Sequence, residues 1–279
     1  MFRPKVPSEI LKHWHQYNNP DDIPQEVFDR IKARFEAQRT DNPLISVNII
    51  AWNEEAFILR NLSSLSAMKS QYPVEFVYVD NNSTDRTSEI IRKCGLNPIM
   101  ETTQGYGFAR QTALVNSKGK YIITGDADTA YLPTWIDTMI KPLIEGSFLG
   151  SYGTYSFVPQ IGQSRLRYAV YELFRDMMHY FRSIKRPELI VVGMNFCFPR
   201  KEALEIGFVK SNRRMEDGQM ALDLSKYGKL KRTTSNNSIA WTGTRTIEQS
   251  GSLIRAFFIR LVKELKRIEV YFYKIKRKK

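Results

Sequence analysis

The stretch Lys120–Thr129, KYIITGDADT, decides the fold. Tyr121-Ile122-Ile123-Thr124 is aromatic and β-branched, the composition of a strand buried on both faces of a parallel sheet. Gly125 lets the backbone turn without a Cβ clash. Asp126 and Asp128 follow at i and i+2, at the carboxyl end of the strand, where open α/β sheets bind ligands. Acidic residues at strand ends are also ordinary turn formers. As ligands, two carboxylates at this point suit a hard divalent ion that shares its oxygens with a phosphate.

The same pattern repeats upstream. Strands are expected at Leu44–Ala51, at Val74–Val79 and near Pro98–Met100. The helices expected after them lie near Glu54–Met68, Thr84–Cys94 and Gly105–Asn116. Such alternation predicts an α/β protein with a Rossmann-like, mostly parallel sheet and helices on both faces. Right-handed crossovers would gather the strand-end loops on one edge: Trp52–Glu55, Asp80–Ser83, Gln104–Gly107 and Asp126–Asp128. Downstream, helices are expected at Pro133–Glu145, Ser164–Arg182, Lys201–Ile206 and Gln219–Tyr227. A strand is expected at Ile190–Phe198 and an edge strand at Leu230–Thr234. Residues 1–41 read as a helical preface, with one helix from Ser8 to about Tyr17 and another from Pro24 to about Gln38.

Composition narrows the classes. With 279 residues, 42% hydrophobic and 25% charged, the chain has enough material for one sizeable core with extensions. The N-terminus, MFRPKVPSEI, lacks the apolar centre of a signal peptide, and no apolar run approaches the roughly 20 residues of a membrane span. Cys94 and Cys197 are expected to be reduced core thiols of a cytoplasmic protein. No pair among His13, His15 and His179 reads as a metal site. The net charge of +13 is uneven: residues 253–279 carry ten basic residues against Glu264 and Glu269. There Leu253, Phe257, Leu261, Leu265, Ile268 and Phe272 recur at helical spacing. This basic amphipathic helix either lies on an anionic membrane surface or packs its stripe on protein. No nucleic-acid partner is expected, since no fold motif for one is present.

Four motifs, in order, resemble family 2 glycosyltransferases of the GT-A fold: Ser46–Leu65 (SVNIIAWNEEAFILRNLSSL), Phe76–Thr87 (FVYVDNNSTDRT), Gly105–Thr129, and Gly193–Phe208 followed by Glu216–Leu224 (EDGQMALDL). The resemblance covers about residues 44–245 and implies an inverting transferase. Such an enzyme moves a sugar from a nucleotide-sugar donor to a saccharide or lipid-linked acceptor, with Mn2+ or Mg2+ as cofactor. With the preface and the basic helix read above, the chain divides into three parts: the preface (1–41), a GT-A domain (42–250) and a basic C-terminal helix (251–279). By the same resemblance, Asp217 is the catalytic base, unless it and Glu216 merely cap a helix. Asp128 is the metal ligand, with Asp126 on the ribose or the metal. Trp52, Glu54, Glu55, Asp80, Asn81 and Arg110 bind the donor, although Glu54 and Glu55 equally suit the first turn of a helix. Gly193, Asn195 and Glu216 shape the acceptor side. Trp241, Thr242 and Arg245 are expected in a late loop that closes over the donor. Two positions depart from the family pattern: Asn81, where many relatives carry Asp, and Gln111, where Asn is usual. His179, inside a helical pattern, reads as packing or surface rather than as a ligand. The expected location is cytoplasmic, peripheral on the inner membrane face, in cell-envelope saccharide synthesis. The rival reading is a non-catalytic protein that keeps the fold and binds a nucleotide sugar or an anionic surface.

Overall fold

Three runs of β-branched and aromatic residues form the centre of the sheet: β1 (Ile45–Ala51), β2 (Val74–Asp80) and, after the short β3 (Ile99–Met100), β4 (Tyr121–Asp126). The structure, a computed structural model, describes residues 2–209 and 216–248. β1 pairs in parallel with β2 and with β4, and β2 with β3. Every residue of β1 is buried. Alternate side chains serve opposite faces, as the pleat requires. Val47 and Ile49 join one core with Tyr78, Leu62 and Phe35, while Ile50 joins another with Val77, Val79, Ala109 and Ala113. Helices Gln25–Ala37, Ile58–Ser66 and Trp135–Ile144 cover the first face, and Tyr106–Asn116 covers the second. Truncating any one of these buried isoleucines to alanine would cost about 2–5 kcal/mol.

The remaining strands are short: β5 (Thr129–Ala130), β6 (Gly150–Tyr152), β7 (Tyr155–Phe157), β8 (Phe196–Pro199), β9 (Leu230–Arg232) and β10 (Ala240–Thr242). The main sheet runs β3-β2-β1-β4-β8-β6-β9, with β8 antiparallel to both its neighbours. A second sheet, β5-β10-β7, sits just beyond the end of β4.

Three expectations change. Residues 190–198 do not form one strand: Pro187–Ile190 and Gly193–Asn195 are 3-10 turns, and the strand begins only at Phe196. The side chain of Asn195 replaces ladder pairing there by donating to the carbonyls of Thr154 at 2.8 Å and Ser238 at 2.6 Å. The first helix stops at Leu11 rather than near Tyr17. Beyond it the chain turns so that His13 Nδ1 and His15 Nε2 both meet Ser63 Oγ, at 2.8 and 3.2 Å. Trp241 and Thr242, expected in a loop, are buried strand residues of β10, paired with Ala130 and Thr129. The basic helix expected over 251–279 lies outside the described residues.

Candidate active site at the carboxyl edge of the sheet

Strand β4 delivers Asp126 to the sheet edge, and the Tyr106–Asn116 helix delivers Arg110 to meet it. Gly105, the residue before that helix, has a φ of 150°, which favours glycine. Arg110 is only 2% exposed. It donates through Nη2 to Asp126 Oδ1 at 2.7 Å and through Nη1 to the Gly125 carbonyl at 2.8 Å. Its Nε lies 3.5 Å from Asp217 Oδ1, an ion contact in which neither atom makes a hydrogen bond. Asp217 sits in the first turn of the Glu216–Leu224 helix, beside the buried Glu216. Burial pushes the Asp217 carboxyl up to about 7; Arg110 opposes that rise, while Glu216 and Asp126 add to it. The Asp126 carboxyl is also raised, by burial first and against Arg110. For Arg110 itself burial acts downward, and the carboxylates of Asp217 and Asp126 outweigh it.

Gly193 closes this group. A Cβ there would stand 2.1 Å from Asp217 Oδ2 and 2.5 Å from Arg110 Nη2, so no other residue fits without moving the pair. Asn195 does not face the group. It is fully buried, with Oδ1 accepting from Trp135 Nε1 at 2.9 Å, and it forms wall rather than surface. Gln111 ties the helix to the far loop by accepting from Phe208 N at 2.7 Å.

Asp128, two residues beyond Asp126, belongs to a second cluster. Arg245 donates to both carboxylate oxygens of Glu54, at 2.6 and 3.2 Å, and reaches Asp128 Oδ2 at 3.5 Å. Burial and the neighbouring Asp128 push the Glu54 carboxyl up to about 7, against the pull of Arg245. Beneath them lies Arg60, 6% exposed, its guanidinium 4.0 Å from the centre of the Trp14 ring and 4.8 Å from that of Phe57. Burial pulls Arg60 down to about 10, and its Nε has no hydrogen-bond partner. Trp14, Tyr17, Phe57, Arg60, Asp128 and Arg245 help line a cavity of about 750 Å³. Arg60 was not singled out in the sequence. The available signal was that its helix, ILRNLSSLS, offers small serines rather than charges on its other side, a mark of burial all round.

The other expected donor residues form the wall beside this cluster. Glu55 accepts from Arg86 N at 2.9 Å and donates its own N–H to Asp85 at 3.0 Å, lacing two loops together. Asp80 is buried and accepts from Ser83 N at 2.9 Å and from the Ser88 hydroxyl. Asn81, expected at a nucleobase or ribose edge, instead holds the next loop. Its amide donates to the Thr103 and Glu101 carbonyls at 2.8 and 3.2 Å and accepts from Gly105 N at 2.7 Å. Trp52 is exposed at the rim. Among the described residues no three of His, Cys, Asp and Glu converge as a closed metal site. Burial holds the His179 imidazole down at about 3, so it is neutral near pH 7.

Residues 46–207, more than half of the chain, match the model of the family described as glycosyl transferase family 2. An uncharacterised glycosyltransferase of Haemophilus influenzae is 27% identical over 125 residues, covering 41% of this chain and 48% of that protein. A dolichyl-phosphate hexose transferase of Haloferax volcanii is 34% identical over 97 residues, covering 33% of this chain and 42% of that protein. The chain thus spans about half the length of the first and less of the second. The fold is similar to that of a mannosyltransferase from Pyrobaculum calidifontis solved with GDP-Man and Mn2+, with a TM-score of 0.57 and 19% identity, covering 86% of this chain and 76% of that one.

Proposed function

The chain belongs to glycosyl transferase family 2 and has the GT-A fold, and on that premise we propose that it is a metal-dependent inverting enzyme. In this reading it transfers a sugar from a nucleoside diphosphate to a hydroxyl of a saccharide or lipid-linked acceptor. One observation carries the reading: a single buried arginine, Arg110, joins Asp126 at the end of β4 to Asp217 across from it. Inversion needs a carboxylate that takes the acceptor's proton on the face opposite the leaving group. Asp217, raised to about 7, suits that task near neutral pH. Arg110 holds the carboxylate in place, and the missing side chain at Gly193 leaves room for it. Trp52 is the exposed ring on which a base stacks, and Asp126 takes the ribose.

The residues around Asp128 fit a divalent ion. Glu54 and Asp128 are oxygen donors of the right hardness, and a cation, Arg245, already sits between them. Two carboxylates are too few for a closed cage, which suits an ion completed by a diphosphate and water. Bound there, Mn2+ or Mg2+ would neutralise the charge gathering on the departing diphosphate. A protein of the same fold was solved with GDP-Man and Mn2+, which supports this choice. The likeness to a dolichyl-phosphate hexose transferase favours a lipid-linked acceptor, and with it cell-envelope synthesis at the cytoplasmic face of a membrane. The division into preface, GT-A domain and basic C-terminal helix belongs to the same reading.

Calorimetric titration of UDP and GDP, with and without Mn2+, tests the donor side. Binding should require Mn2+ and should be lost in Asp128→Ala; equal affinity in every arm would overturn the metal role. Asp217→Asn should keep donor affinity and lose about 10²–10⁴ in turnover, read as nucleoside diphosphate release in the presence of acceptor. Near wild-type turnover would reduce Asp217 to a helix cap.

A further inference from the structure

The Arg165–Lys185 helix, 21 residues long, is inside out. Its inward face carries charge: Glu172 accepts from Arg165 Nη2 at 2.7 Å and from the backbone N–H of Phe157 at 2.8 Å, and Asp176 accepts from Arg3 Nη2 at 2.6 Å. Its outward face is apolar. Leu166, Val170, Phe174, Met177, Phe181 and Ile184 recur three and four residues apart, one continuous stripe, and Phe181 is 65% exposed. Every exposed side chain between 165 and 184 is apolar or aromatic except Arg167. A helix facing water shows the reverse arrangement. At about 1.5 Å per residue the stripe runs roughly 30 Å. No described helix is long and apolar enough to cross a membrane.

We propose that this outward face docks on an anionic lipid surface and holds Asp217 at the height of the headgroups. Four observations select this occupant. The face shows no exposed acid, and Glu172 and Asp176 are both paired inward, so nothing on it repels anionic headgroups. Tyr180, exposed beside the stripe, has the amphipathic ring that settles at a membrane interface. The chain's own C-terminal stripe is a poor cover: residues 253–279 carry ten basic residues against two acidic ones and would meet the exposed Arg167 with like charge. Finally, the two ends of the helix point to a shared surface. Ile247, next to the last described residue, packs with Tyr168 and Tyr171 at the start of the helix, and the ten basic residues of 253–279 follow it in the sequence. The other end runs into Pro187–Ile190, where the Glu188 carbonyl lies 3.6 Å from the position of a Cβ at Gly218, next to Asp217. The link to Asp217 rests on the transferase reading; the docking itself does not.

The test uses the full chain with vesicles of phosphatidylglycerol and phosphatidylcholine, or of phosphatidylcholine alone. A nitrobenzoxadiazole label is placed at Met177→Cys, with Lys118→Cys, an exposed site ahead of β4, as control. Cys94 and Cys197 are buried, and burial raises both thiols, so the label goes to the introduced cysteine. Emission at 177 should rise severalfold with anionic vesicles at low salt, fall back at high salt, and stay flat at 118. Phe174→Ser with Phe181→Ser should weaken partition at least about tenfold, since the rings are 46% and 65% exposed and burying that remainder contributes roughly half a decade or more for each. Affinity for UDP or GDP with Mn2+ should be unchanged in that variant. A label at 177 that is shielded in buffer and unmoved by vesicles would overturn the proposal, because the tail or a second copy would then cover the face. Equal vesicle binding by the double variant would overturn it too. Docking without any nucleotide binding would sink the transferase reading and leave the docking result standing.

Discussion

Two arginines bridge carboxylates at the end of the same strand, and they are built differently. Arg110 is 2% exposed and lies between Asp126 and Asp217 with a glycine pressed against it. The Arg245 side chain is 41% exposed and reaches Glu54 and Asp128 from a short helix near the end of the described chain. In the first cluster the guanidinium is part of the architecture, since it is itself buried and two half-buried carboxylates lean on it. In the second it occupies a place that another cation can take. A sheet edge that handles a donor needs both: a fixed cation beside the base, and a displaceable one where metal and diphosphate arrive.

The sharpest way to break this contrast is Arg110→Ala. Leaving the half-buried Asp126 and Asp217 without their cation should destabilise the fold by about 3 kcal/mol in urea denaturation, the low end for a buried pair because Asp126 keeps contact with water. Wild-type stability would mean that the fixed cluster is not structural after all. A smaller effect comes from Asp217→Asn and depends on pH. The Asp217 carboxyl stands at about 7 in the fold against an ordinary 3.8, so the folded chain keeps a proton that the unfolded chain releases. Its stabilising contribution is complete below about pH 4 and is lost as pH rises through about 7. The asparagine variant should therefore gain on the order of 2 kcal/mol at pH 8 and nothing at pH 4. A variant less stable than wild type at pH 8 would reverse the sign assigned to this half-buried charge. Arg245→Ala is the mildest: its ion pairs are partly solvated, so stability should shift by less than about 1 kcal/mol. Mn2+ titrated without nucleotide should nonetheless bind more tightly, because Glu54 and Asp128 are released. Unchanged Mn2+ affinity would remove the idea that Arg245 holds a cation's place.

The fixed cluster was more legible in the sequence than the displaceable one. Asp126 ends a strand whose composition announces it, and Arg110 and Asp217 lie in motifs of adequate length. The expected strand Tyr121–Thr124 extends only two residues further, to Asp126. Arg245 meets Glu54 across 191 residues, through a sheet whose strands are two and three residues long. Strands that short carry no periodicity to read. The same limit hid β5 and β7 and put Trp241 in a loop. Arg60 was invisible for another reason: its burial depends on Trp14 from the preface, and stacking between distant residues leaves no local pattern. Over residues 190–198 the apolar composition suggested a strand, yet Pro187 and Gly193 turned the chain before Phe196.

The stacking of Trp14 beneath Arg60 also gives the protein an optical property. Trp135 and Trp241 are buried away from solvent and should emit a constant background. Trp14 lines the cavity beside Asp128 under a guanidinium, and Trp52 is exposed at the end of β1. Half of the indoles therefore sit where a nucleotide and its cation would arrive, so intrinsic fluorescence can follow the filling of this edge in real time, without a label or an added dye.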